Sequence, residues 1–166
     1  MNVPIDSMGI NAGGGATVRI PGLGPVGPKR AVATAMIIDT EGNVSIVPTR
    51  DIGLGTPIDR PYSFSLFVNA LVGFNGAMGR DFAGTALSAS GTAGPVTVAY
   101  SLPLDDNPGA EKFFLEIGYA PKRTRAGAAF EIGMTQSKSL SEPIVYRNPF
   151  ASVGGWWGDW LYDVLH

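Results

Sequence analysis

The loop at residues 22–27, GLGPVG, matches the glycine pattern of dinucleotide-binding proteins letter for letter. In those proteins a helix begins at this loop, and its N-terminus binds the pyrophosphate. Here Pro25 lies inside the loop, Pro28 follows it, and the next residues alternate as a strand does. We therefore interpret the loop as a rigid Gly/Pro connection and expect no bound nucleotide.

A group of oxygen ligands lies in the segment LDDNPGAE. Asp105, Asp106, Asn107 and Glu111 could surround a calcium ion or supply carboxylates for acid–base catalysis. Their spacing differs from that of an EF-hand loop, which has glycine at its sixth position and glutamate at its twelfth. Adjacent aspartates in such a segment usually form solvated turns. We therefore predict neither a metal site nor catalytic residues here.

Several reaction types lack the residues they need. Cysteine is absent and the single histidine is His166, which excludes thiolate chemistry, sulfur- or histidine-based metal sites and a triad with an internal histidine. Twelve basic and fourteen acidic residues give a net charge of −2, without the positive field of nucleic-acid-binding proteins. We expect a protein that is not an enzyme, holds no cofactor and recognises no specific nucleic acid.

Basic residues concentrate in two loops, PKR at residues 28–30 and PKRTR at residues 121–125. The second loop offers Lys122, Arg123 and Arg125 to a phosphate or an acidic neighbour. No aromatic residues alternate with them, as a platform for single-stranded nucleic acid requires. We interpret both clusters as solvated loops or as salt bridges between subunits, and keep these three residues as candidate interaction residues.

Short strands are the elements that must position these residues. The chain has 166 residues and is 45% hydrophobic, yet it contains 23 Gly and 13 Pro, a combination typical of turn-rich β proteins. In PVTVAYSLPL, residues Val96, Val98, Tyr100 and Leu102 alternate onto one face. EKFFLEIGYA alternates in the same way after the turn DDNPG, which predicts a hairpin. GAAFEIGMTQ then predicts a third strand of the same meander.

A second hairpin is predicted around TEGN at residues 40–43, because Gly and Asn accept the left-handed conformation of a tight turn. ATVRI, YSFSLFV, GTALSAS and PIVYR complete about eight strands, while residues 67–79 could hold a short helix. A flat sheet of that size would leave an apolar face and open edges. We therefore predict a single all-β domain, a β-sandwich or jelly roll, with an extended arm at residues 1–30 and a β body at residues 31–150.

The aromatic C-terminal segment, residues 151–166, contains all three tryptophans, in GWWGDWLYDVLH. On a helix, Trp156, Trp157, Trp160, Leu161 and Leu165 fall on one side and aspartates on the other, which predicts a short amphipathic helix. Its apolar side is either a lid over the β body or a docking element, because buried aromatic residues dominate interface energies. A helix on a membrane surface would instead carry Lys and Arg on its polar side.

We also expect no membrane insertion. The most apolar stretch, residues 62–74, is interrupted by Ser and Asn and is shorter than the roughly 20 residues of a membrane helix. Many alternate positions in the predicted strands carry Ala, Gly, Ser or Thr on both faces, whereas strands in lipid present large apolar residues.

Together these features favour a structural protein. A Gly/Pro-rich arm, a β body, only 16% charged residues and no catalytic motif are typical of assembly subunits, and in architecture the chain resembles the jelly-roll proteins of viral capsids. We predict a small capsid or decoration protein of a viral or phage virion, a homo-oligomer that assembles through its arm and its strand edges and contacts other coat subunits. The alternative is a non-catalytic binding module, such as a carbohydrate-binding β-sandwich.

Overall fold

The computed structural model describes residues 5–22, 24, 26–55, 62–93, 95–119, 128–136 and 144–146. This part of the chain contains nine β-strands and one short helix. In chain order they are β1 (Ile5–Val18), β2 (Gly27–Asp39), β3 (Val44–Gly55), β4 (Tyr62–Phe74), α1 (Gly79–Phe82), β5 (Thr85–Ala93), β6 (Val96–Pro103), β7 (Phe113–Tyr119), β8 (Ala128–Gln136) and β9 (Ile144–Tyr146). Within these described ranges, no helix has the length and hydropathy needed to cross a bilayer.

All strands pair antiparallel in one sheet, with the order β2-β1-β4-β7-β6-β5-β8-β3-β9. β2 also pairs with β3 through their hairpin. In this spatial order β2 and β3 are the first and the eighth strand, so the sheet curls until these two strands lie side by side. On its other side, β3 pairs with β8 at residues 51–55 and with β9 at residues 44–46. The sheet therefore has a concave inner face and a convex outer face.

The predicted all-β class is confirmed, but one curled sheet replaces the two packed sheets of the predicted sandwich or jelly roll. Small residues on the inner side of β1 explain how the sheet curls so tightly. A Cβ at Gly9 or Gly13 would collide with the carbonyl oxygens of Met36 and Val32 on β2. Only glycine permits this close approach of two strand backbones.

The same glycines explain why the predicted N-terminal arm is wrong for Ile5–Val18. This segment is a strand inside the sheet, paired with β2 on one side and with β4 on the other. A glycine run loses much backbone entropy on folding. In β1 that loss is offset by two complete ladders of hydrogen bonds, and the glycines supply the space that the curl requires.

Both predicted hairpins are present. Between β2 and β3, Asp39 Oδ1 accepts hydrogen bonds from the backbone N–H groups of Glu41 and Asn43, at 3.0 and 2.8 Å. Gly42 has φ 79°, the left-handed conformation that the sequence predicts for this turn. β6 and β7 also pair as predicted.

Two other predictions about chain order are wrong. β8 does not extend the β6–β7 hairpin into a meander, because it pairs with β5 along its whole length and with β3 at one end. Residues 67–74, where a short helix was considered, belong to β4, and the helix begins later, at Gly79. Both errors arise because partners far away in sequence decide the pairing.

An apolar core fills one end of the inner face. The inward side chains of Ile37, Val47, Leu71 and Phe114 are at most 1% exposed. Phe82 of α1 packs edge-on against Phe114, with ring centroids 5.0 Å apart. α1 therefore covers this end of the sheet.

Polar contacts hold α1 in place. Asp81 Oδ2 accepts a hydrogen bond from the backbone N–H of Met78 at 2.8 Å, and its Oδ1 accepts one from Lys112 Nζ at 2.9 Å. Ser7 Oγ donates to the backbone oxygen of Ala77 at 2.6 Å, which ties the segment before the helix to β1. These bonds join α1 to β1 and to the loop before β7.

Candidate functional site

The two faces of the sheet differ in chemistry. On β6, Thr97, Ala99 and Ser101 point inward, while Val98 and Tyr100 point outward and are 46% and 41% exposed. The alternation that the sequence predicts is present, with the apolar side directed towards solvent. Apart from the core under α1, the inner face is therefore largely polar.

The polar inner positions surround a cavity of about 110 Å³, called the inner cavity below. Charged and amide side chains from five strands line it: Asn11, Lys29, Asp51, Asn69 and Glu116. Serine and threonine side chains of neighbouring strands and the aromatic side chains of Phe67 and Phe82 complete its wall.

Three buried side chains form the centre of the cavity wall. Asn11 Nδ2 and Asn69 Nδ2 both donate hydrogen bonds to Glu116 Oε2, at 3.0 and 2.8 Å. Each of the three residues is 6–7% exposed. The Oδ1 atoms of Asn11 and Asn69 are buried without a hydrogen-bond partner. We call this group the Asn–Asn–Glu cluster.

Strand register places the cluster. Asn11 on β1 lies directly opposite Asn69 on β4, which in turn lies opposite Gly118 on β7, two residues after Glu116. A Cβ at Gly118 would overlap Asn69 Oδ1. The missing side chain at position 118 thus provides the space that the Asn69 amide occupies.

Burial raises the pKa of Glu116, because desolvation disfavours its charged form. The hydrogen bonds from Asn69 and Asn11 act in the opposite direction, as does the more distant charge of Lys29, while Asp51 raises the pKa further. Lys29 Nζ lies 3.8 Å from Asp51 Oδ2, so the carboxylate of Asp51 partly neutralises the charge of Lys29. A positive charge beside Glu116 would therefore stabilise its ionised form.

Of the glycine loop, the structure describes residues 22, 24, 26 and 27, and none of these is helical. Gly22 and Gly24 have φ 93° and 69°, and β2 begins at Gly27. Asp39, the acidic residue downstream of the loop, bonds to the backbone of its own hairpin turn. This geometry agrees with a rigid connection.

The turn LDDNPGAE is stabilised by its own side chains. Asp105 Oδ2 accepts a hydrogen bond from the N–H of Thr85 at 2.9 Å. Asn107 Nδ2 donates to the carbonyl oxygens of Pro103 and Lys112, and its Oδ1 accepts from the N–H of Lys112. Across the described residues, no three His, Cys, Asp or Glu side chains come together as a metal site requires.

The predicted interaction residues all lie outside the described residues, as does the segment at residues 151–166 for which the C-terminal helix is predicted. They remain predictions: Trp156, Trp157, Trp160, Leu161, Leu165, Lys122, Arg123 and Arg125.

The outer face presents a continuous apolar row on β4. Tyr62, Phe64, Leu66 and Val68 are 60%, 78%, 82% and 59% exposed, and we call them the β4 row. Exposed apolar side chains also occupy outward positions of other strands: Ile10, Val18, Val32, Met36, Leu54, Leu87, Val98 and Ile117.

The β4 row lies beside a free strand edge. β1 pairs with β4 from Tyr62 to Phe74, whereas β7 pairs with it only from Val68 onward. In the described part of the chain, no strand pairs with that side of residues 62–67. Within the described residues, backbone groups without a strand partner and large apolar side chains therefore occur together.

The sequence reasoning missed the Asn–Asn–Glu cluster. Asn69 and Glu116 are polar residues in largely apolar strands, at positions that face inward with Ser65 and Phe114. A search for polar residues that alternation places on the same face of a strand would have selected them as candidates. Their meeting depends on β4 pairing with β7, which the meander prediction did not include.

Comparison with known proteins adds no relative from which a role could be transferred: neither family models, nor curated proteins, nor solved structures match this chain.

Proposed function

We propose that this protein is a structural subunit that assembles by covering its apolar outer face with neighbouring subunits. The observation that supports this proposal is the β4 row, in which Phe64 and Leu66 are 78% and 82% exposed. Contiguous exposed apolar surface on soluble proteins marks interaction sites. Burying it contributes about 25 cal/mol per Å² of apolar area.

The free edge at residues 62–67 determines how a neighbour would bind. A strand of a second chain can pair with these backbone groups, and the same neighbour then covers Phe64 and Leu66. Edge pairing also sets one orientation for the partner, which symmetric homo-oligomers require. Assembly through a strand edge is the mode that the sequence analysis predicts.

The assembly we propose is a viral or phage virion, with this chain as a small capsid or decoration protein among other coat subunits. Its support is the composition of the chain: abundant Gly and Pro, sparse charge and no catalytic motif. Mass spectrometry of purified native particles tests this part. Peptides of this chain should occur in fixed ratio to the major coat protein, and their absence would contradict a virion location.

Solution mass tests the assembly itself. We expect an oligomer by light scattering, and Leu66→Ser should weaken association at least about tenfold, since interface anchors typically contribute 2 kcal/mol or more. Leu87→Ser is the matched control, because Leu87 lies on the outer face of β5, away from the free edge, and is 49% exposed. It should leave association nearly unchanged.

A monomeric wild-type protein at its highest soluble concentration would contradict the proposal. Flotation with phosphatidylcholine vesicles provides a second arm of the experiment. If the monomer floats with vesicles and Leu66→Ser releases it, the outer face binds lipid and the assembly proposal fails.

A second candidate function is a non-catalytic binding module, and the inner cavity is the observation that favours it. Strongly curled sheets of eight strands can enclose one small ligand. Buried acceptor atoms without partners, such as Asn11 Oδ1 and Asn69 Oδ1, are typical of a polar binding site. The two functions are compatible, because one uses the outer face and the other the inner face.

A further inference from the structure

We infer that the inner cavity binds a small organic cation with a primary ammonium group, held by the Asn–Asn–Glu cluster. This inference rests on the second candidate function and specifies its ligand class. It follows from the hydrogen-bond inventory, the charges and the shape of the cavity.

The cluster contains two buried acceptor atoms that have no hydrogen-bond partner. An asparagine amide has two N–H donors on Nδ2 and an acceptor on Oδ1. Both Nδ2 groups are directed to Glu116 Oε2, while Asn11 Oδ1 and Asn69 Oδ1 are buried without partners. An ammonium group has three N–H donors and no acceptor. It is therefore complementary to a site made of amide and carboxylate oxygens.

The charges point to the same ligand class. Glu116 is bonded to two neutral amides and forms no ion pair with any described residue. Lys29, the basic residue of the cavity wall, is paired with Asp51 at 3.8 Å. A buried carboxylate without a counter-charge is costly, and a bound cation removes that cost. A neutral sugar would satisfy the acceptors but leave the charge uncompensated.

The remaining wall suits the organic part of such a ligand. Phe67 and Phe82 line the cavity, and aromatic rings attract cations and pack against alkyl groups. The cavity is partly open to solvent. A short alkylammonium ion can enter it with its charged end towards Glu116.

Calorimetric titration of the wild-type protein with a panel of probes tests the ligand class. Propylammonium should bind saturably. Trimethylpropylammonium has the charge without N–H donors, and glycerol has donors without the charge, so each should bind at least about tenfold more weakly. Calcium chloride and potassium chloride complete the panel, because Ca²⁺ and K⁺ also bind oxygen ligands.

Variants tie the binding to the cluster. Glu116→Gln preserves the shape of the side chain and removes its charge, and should weaken propylammonium binding at least about tenfold. Glu111→Gln, in the exposed turn before β7, is the matched control and should bind as the wild type does. Thermal melting of Glu116→Gln verifies that the variant folds. If it does not fold, the titrations of the wild-type protein with the probe panel still test the ligand class.

The possible results distinguish a failure of this inference from a failure of the binding-module function on which it rests. If glycerol binds and propylammonium does not, the cavity binds small molecules but the cation class is wrong. If calcium or potassium binds more tightly than propylammonium, the cluster is a metal site and the inference is wrong. Unchanged binding in Glu116→Gln would place the ligand elsewhere. If no probe binds, the inference and the binding-module function both fail, while the assembly proposal is unaffected.

Discussion

The two faces of β7 show how this protein is organised. Inward, Phe114 is fully buried in the core, and the strand continues with Glu116 at the cavity and Gly118 under Asn69. Outward, Ile117 and Tyr119 are 53% and 59% exposed. In a typical half-solvated sheet the apolar residues face the core and the polar residues face water. β7 follows that rule at Phe114 and reverses it beyond that residue.

This difference shows where the stability of the isolated chain comes from. The inner face contributes apolar packing only near α1, around Phe114, Leu71 and Ile37, and a polar network elsewhere. Among the described residues, the outer face carries many exposed large apolar side chains. We therefore expect substitutions on the inner face to change the free energy of unfolding, and those on the outer face to change association.

The largest effect is expected from Phe114→Ala. The side chain is 0% exposed and contacts the ring of Phe82, so its removal should lower the free energy of unfolding by about 3–5 kcal/mol. Phe113→Ala is the matched control on the other face. Phe113 stacks on Phe74 with centroids 4.8 Å apart, and the control should cost clearly less. Urea denaturation measures both, and equal losses would contradict the difference between the faces.

Gly118→Ala should have the next largest effect. The added methyl group would displace the Asn69 amide from its bond to Glu116, and overpacking of this kind typically costs about 1–3 kcal/mol. Gly109→Ala is the control, because the atoms nearest to its added Cβ belong to the exposed side chain of Glu111. Thermal unfolding compares the two variants. If both melt as the wild type does, the cluster is not rigidly packed.

The local features of the fold were predictable from the sequence. The alternation in β6 and β7 and the turn at Gly42 depend on neighbouring residues, so the hairpins were correctly placed. The β1 and β8 pairings depend on partners far along the chain, and the sequence pattern does not specify those partners. The alternation of apolar and polar residues also does not indicate which face of a strand points to the inner side of the curled sheet.

The candidate site was less predictable for the same reason. The two asparagines and the glutamate of the cluster come from β1, β4 and β7, and Asn11 and Glu116 are separated by 105 residues. No spacing in the sequence joins them. The motifs that do have a recognisable spacing, GLGPVG and LDDNPGAE, are a connection and a turn closed by their own hydrogen bonds.

A smaller effect, with a defined pH dependence, is expected from Glu116→Gln. Burial raises the pKa of Glu116 in the folded chain above its unfolded value of about 4.3, so the folded state binds this proton more tightly. Wild-type stability should therefore fall as pH rises from about 4 through the raised pKa, and the glutamine variant should lack this loss. The free energy of unfolding of the variant minus that of the wild type should increase with pH.

Urea denaturation at a series of pH values measures this difference. Glu111→Gln, on the exposed turn, is the control and should run parallel to the wild type. A difference between Glu116→Gln and the wild type that is constant over the acidic range would show that this carboxyl group is not desolvated in the folded chain.

The smallest effect on the isolated chain is expected from Ile117→Thr. Threonine keeps the β-branched shape that strands favour, and a side chain that is 53% exposed makes few contacts to lose, so the free energy of unfolding of the dilute protein should change by at most about 0.5 kcal/mol. At concentrations where subunits associate, the stability of the wild type should rise with concentration. If Ile117 lies in the contact, that rise should be weaker in the variant. A loss in dilute protein as large as that of Phe114→Ala would mean that the outer face is already covered within one chain, and assembly would then not be needed to bury it.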